Sequence, residues 1–151
     1  MMRDEVARRS VEARLRRAML ALAAAGAAGA VAELVLTQHT EGVMQWVPFG
    51  LSILALALLA WLHLRPSRAS VLAVRRVMPL LLLGSLIGMW EHLEGNLALE
   101  AEVKPQITGL ARAWNALFGA NPLLAPGLLA MVGLLAMAAT IAHPAAVREK
   151  A

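Results

Sequence analysis

Four long apolar runs, at residues 18–36, 43–64, 77–93 and 122–142, constrain this chain more than any other feature in it. Each is close to the ~20 residues, range ~17–25, that a helix needs to cross the hydrocarbon core of a bilayer. Together they leave no room in 151 residues for a separate soluble domain. The chain is 60% hydrophobic and 16% charged, against about 45–50% and about 25% in soluble domains. Its mean hydropathy is +0.65. Lipid offers no partner to an unpaired backbone group, so spans of this kind are helical. The expected fold is all-α, a single integral membrane domain built as a four-transmembrane-helix bundle.

Charge gives the expected orientation. Arg3, Arg8, Arg9, Arg14, Arg16 and Arg17 precede the first run. Arg65, Arg68, Arg75 and Arg76 lie between the second and third, and Arg148 and Lys150 follow the fourth. Only Lys104 and Arg112 fall on the other side. The positive-inside rule then predicts both termini in the cytoplasm. The net charge of +4 is explained by topology and anionic lipid, and nucleic acid is not expected as a partner. The Ala-, Leu- and Arg-rich composition fits a GC-rich bacterium, and hence a bacterial inner membrane. The Ala-rich run after Arg17 could imitate a signal peptide, but the basic region before it is long and cleavage is not expected. With no cysteine, thiol chemistry and thiolate metal sites are excluded.

Residues 1–17 read as a basic amphipathic segment, with Glu5 and Glu12 each four residues before an arginine, the favoured order for helix pairs. It would lie on the cytoplasmic face or extend from it. Residues 94–121 form the only long loop. Within it Ile107, Leu110, Ala111, Trp114, Leu117 and Phe118 recur at helical spacing, which predicts an amphipathic interfacial helix on the outer side. Trp46 and Trp61, near the two ends of the second run, fit aromatic belts.

The string His39-Thr40-Glu41-Gly42 recurs as His92-Leu93-Glu94-Gly95, each time where an apolar run ends. An internal duplication would produce this, although the arginine-to-acid register does not match it. Gly26, Gly29, Glu33 and Thr37 share one helical stripe of the first span, and Gly84, Gly88, His92 and Gly95 share one in the third. Glu33 lies sixteen residues past Arg17 and His92 sixteen past Arg76, ~24 Å along a helix. The two side chains are therefore predicted at similar depth, facing each other inside the bundle.

Carboxylates, imidazoles and amides gathered at the outer end point first to a divalent metal, since these groups bind zinc, iron or manganese where cysteine is absent. The expected ligands are Glu33, His39 and His92, with Glu91, Glu94 and Glu41 as alternates. Asn96 and Gln38 would hydrogen-bond to them. A structural or accessory subunit of a larger membrane complex or homo-oligomer, with no ligand, is the alternative. Further readings are proton or solute transport through an oligomer, an enzyme with a His/Glu acid–base pair, and b-type haem held by His39 and His92 at one surface and His63 and His143 at the other. An enzyme is disfavoured: Ser85 has no base in reach, and no phosphate loop, nucleophile elbow or zincin motif is present.

Overall fold

The computed structural model describes residues 2–38, 40 and 42–146, apart from the Ala125 side chain. Among these residues the chain is all-helical, with five α-helices, no strands and two short 3-10 turns. They are α1 (Met2–Leu36), α2 (Trp46–Leu64), α3 (Arg68–Val103), α4 (Gly109–Leu117) and α5 (Leu124–Thr140). Three segments are long and apolar enough to cross a membrane: Met2–Leu36, Val43–Leu64 and Arg68–Val103. The fourth apolar helix, α5, is shorter, with 17 residues.

The bundle is a ring in which α1 packs on α2 and α5, and α3 packs on α2 and α5. The helices α1 and α3 stand on a diagonal, and their backbones do not come close among the described residues. Buried positions follow three- and four-residue steps: Val71, Val74, Met78, Leu81 and Ser85 on α3, and Leu129, Val132, Ala136 and Ala139 on α5. That spacing seats side chains of one helix between those of its neighbour. The helix α5 runs antiparallel to both flanking helices. Small residues permit the approach: a Cβ on Gly26 of α1 would lie 2.9 Å from Val132, and one on Gly88 of α3 3.1 Å from Pro126.

Local sequence fixes the turns. Pro66 cannot continue α2, and the residue before it, Arg65, leaves the helical region at φ −136°. Ser67 then caps α3 reciprocally with Ser70, accepting the Ser70 N–H at 3.1 Å while the Ser70 hydroxyl accepts the Ser67 N–H at 2.9 Å.

Of the two forms expected for the basic segment, α1 takes the extension, continuous from Met2 to Leu36. One expectation about element boundaries changes. The third helix does not end with its apolar run at Leu93. It continues to Val103, and α4 then runs back along its last turns.

Candidate functional site

The polar side chains of the far end, opposite the arginines, converge on the backbone that enters α5. His92 places Nδ1 2.9 Å from the Pro122 carbonyl oxygen. A carbonyl only accepts, so Nδ1 is the donor, and in the neutral ring the lone pair is on Nε2. The Pro122 oxygen is available because Pro122 lies before the N-cap Leu123, outside the hydrogen-bond ladder of α5. One turn below, the Ser85 hydroxyl donates to the Pro126 carbonyl at 2.7 Å.

Asn96 is the most fully engaged of these groups and is 1% exposed. Its amide Nδ2 donates to the carbonyls of Ala116 and Asn121, both at 2.9 Å, and its Oδ1 accepts the Asn121 N–H at 2.9 Å. It ties the end of α4 and the entry to α5 onto α3. Gly119 is required beside it, since a Cβ there would collide with the Asn96 side chain. Above it, the Glu100 carboxylate accepts from Lys104 at 3.0 Å and from Asn115 of α4 at 3.3 Å.

The expected ligands are not brought together. Glu33 is exposed on α1 rather than turned into the bundle. It is not beside His92, because the backbones of α1 and α3 do not come close among the described residues. Glu91 and Glu94 are exposed on α3. Since the helix persists through Gly95, His92 and Glu94 stand about 200° apart around its axis. Gln38 occupies a tight exposed turn at φ +52° after α1 and is bonded through its backbone to Val35 and Thr40. His39 and Glu41 lie outside the described residues. Among the described residues, no three His, Asp or Glu side chains are grouped to hold a metal ion. The two H-x-E-G strings also differ in setting. The second is wholly helical, whereas Thr40 and Gly42 of the first are outside any helix.

A second polar cluster, which the sequence reading did not single out, closes the arginine-rich end. Arg16 of α1 donates through Nε to the Ala139 carbonyl at 3.1 Å and through Nη2 to that of Ala142 at 3.4 Å. Arg75 of α3 donates through Nε to the Thr140 hydroxyl at 3.1 Å and through Nη2 to the Thr140 carbonyl. Both guanidiniums thus meet the negative end of the α5 dipole. His143, named from sequence only as a candidate haem ligand at this surface, is buried beside them and accepts the Ala145 N–H on Nδ1 at 3.2 Å. Burial, and then the charges of Arg16 and Arg75, hold its pKa below the ordinary histidine value. The signal available in sequence was the pairing of Arg16 and Arg75, each immediately before a second arginine at the foot of a long apolar run.

The fold defines a helical bundle of membrane type. No family model matches the chain, and neither curated proteins nor solved structures yield a match.

Proposed function

We propose that this chain is a four-span bacterial inner-membrane protein that acts as a structural or accessory subunit, associating through the exposed face of α1. The observation that carries the reading is Glu33. It is an exposed carboxylate with the apolar residues Leu34, Val35 and Leu36 still to follow it in the helix. A charged group within a span usually has a partner. Ala21, Ala25 and Gly29 lie below it at four-residue spacing, all exposed. A Cβ on Gly29 would meet nothing within 4 Å. Small residues at this spacing allow a second helix to approach closely. The twelve Lys and Arg at one end support an orientation with both termini cytoplasmic. The apolar length and antiparallel packing of α5 support its role as the fourth span. The exposed Trp114 and Phe118 support contact between α4 and the outer interface.

The test is the size of the native particle, measured in mild detergent by light scattering and native electrophoresis. Gly29→Leu and Glu33→Leu are expected to release the subunit while leaving its own thermal unfolding unchanged. Both variants migrating with the wild-type particle would refute the assembly reading.

Divalent-metal binding is a second reading, favoured by the His92 tautomer. A histidine that donates one ring N–H to a carbonyl presents its other nitrogen in the way metal-binding histidines do. Its further ligands would come from His39, Glu41 or a neighbouring copy. Metal analysis beside a His92→Ala control tests it. Protein that takes up no zinc, iron or manganese on titration would sink it.

A further inference from the structure

The arginine-rich end carries a positive charge that the described chain does not balance. Arg16 and Arg75 converge on the last turn of α5, and the helix dipole offsets only about half a charge there. Arg14, Arg17 and Arg76 add to it from the same helices. Among the described residues the carboxylate at this level is Glu12, which pairs with Arg8 at 3.8 Å. Beside Arg16 a groove of about 260 Å³ opens between α1 and α5, with Glu12 and Arg16 as its charged groups and Leu15, Met19, Ala138 and Ile141 among its apolar walls. Its charged rim lies where the apolar run of α1 begins, and its apolar walls continue toward the bilayer interior.

We propose that this groove holds one anionic phospholipid, with its phosphate at the free edge of Arg16 and an acyl chain along Leu15, Met19 and Ile141. The proposal rests on the chain being embedded in a bilayer, and is independent of assembly through Gly29 and Glu33. A phosphodiester supplies the missing counter-charge. Guanidinium suits it better than ammonium because its fork of donors matches phosphate oxygens. A zwitterionic lipid brings a compensating cation and would be held less well. The buried His143 beside Arg16 gives a built-in reporter: burial lowers its pKa first and the charges of Arg16 and Arg75 lower it further, and an anion at the rim would relieve that second part.

The experiment follows the imidazole resonances of the full chain in nanodiscs of phosphatidylcholine with and without phosphatidylglycerol, alongside native mass spectrometry of retained lipid. His63, exposed at the same end on α2, reports the general surface potential. The expected result is one retained phosphatidylglycerol and an upward shift in the His143 titration that exceeds the His63 shift. Arg16→Gln should weaken retention about fivefold. Ala138→Phe should abolish retention by filling the groove with no change of charge, which covers the case in which Arg16→Gln impairs folding. Equal shifts at the two histidines, or lipid retention unchanged in Ala138→Phe, would overturn the proposal. So would inorganic phosphate alone, in neutral micelles, reproducing the full His143 response, since that would make the ligand a free anion. Loss of assembly in Gly29→Leu would leave these readouts unchanged.

Discussion

Replacing Asn96 by alanine removes three hydrogen bonds at once and gives the sharpest energetic test of this architecture. The amide is 1% exposed, and the partners it would abandon are the carbonyls of Ala116 and Asn121 and the N–H of Asn121. Each bond has a net worth of about 0.5–1.5 kcal/mol, and a buried partner left unsatisfied costs about 1–3 kcal/mol. The site lies ~30 Å along α3 from Arg76, at the end of the bundle, so water reaches part of what is exposed. A loss of about 2–4 kcal/mol follows, a change of about 30- to 1,000-fold in the opening equilibrium of this corner. Hydrogen exchange is the assay, because α4 can detach while the four long helices stay packed. Amides of α4 and Asn121 should exchange faster by that factor, with little change in the middle of α5. Exchange within about threefold of wild type at Asn121 would refute the claim that Asn96 holds this corner.

Other perturbations separate the remaining contacts. His92→Ala should destabilise the entry to α5 by about 1–3 kcal/mol, and hydrogen exchange at the first turns of α5 unchanged from wild type would exclude the His92–Pro122 contact as a support. Gly26→Leu should destabilise the bundle, because its Cβ already meets Val132 at 2.9 Å, whereas Gly29→Leu should leave unfolding unaffected. Melting curves of the two variants decide this. The lowered His143 pKa means that the folded state favours neutral imidazole. Its contribution is therefore complete above the unfolded value of about 6.5 and is lost as pH falls through the lower folded value. The acid-side stability slope should flatten in His143→Gln, and an identical pH profile would exclude His143 as its source.

The helices were legible because apolar length is a coarse signal that tertiary contacts cannot reverse. The amphipathic helix after α3 was legible for the same reason, from the spacing of Leu110, Trp114 and Phe118. The pairing of helices was not. Alanine surrounds α1, so the stripe through Gly26, Gly29 and Glu33 looked like one face. In the fold, Leu20, Ala23, Ala27 and Ala30 mark the buried side, Gly26 lies near it, and Gly29 and Glu33 fall outside. The end of α3 was misplaced because hydropathy drops at Glu91 and Glu94 although helix propensity does not. The stretch Leu97-Ala98-Leu99-Glu100-Ala101-Glu102 consists of strong helix formers. Asn96 was noticed as a polar group near a possible ligand, but sequence could not show that its partners are backbone atoms 20 and 25 residues away.

The length of α5 explains why so many polar groups attend to its ends. Seventeen residues rise ~25 Å, short of the ~30 Å hydrocarbon core. In a span of that length, the unpaired carbonyls of the last turn and the chain entering the first turn lie where water is scarce. An unsatisfied backbone group there costs several kcal/mol. A longer helix, such as α1 or α3, has the length to carry its ends into the headgroup layer. Here the neighbours supply the donors: Arg16 and Arg75 at one end, and Ser85, His92 and Asn96 at the other. Of the residues that look most like chemistry in the sequence, His92 and Asn96 are thus engaged with the backbone that enters one short helix. Glu33, like Glu91 and Glu94, is instead exposed, and on the small-residue face of α1 association is the use that its position allows.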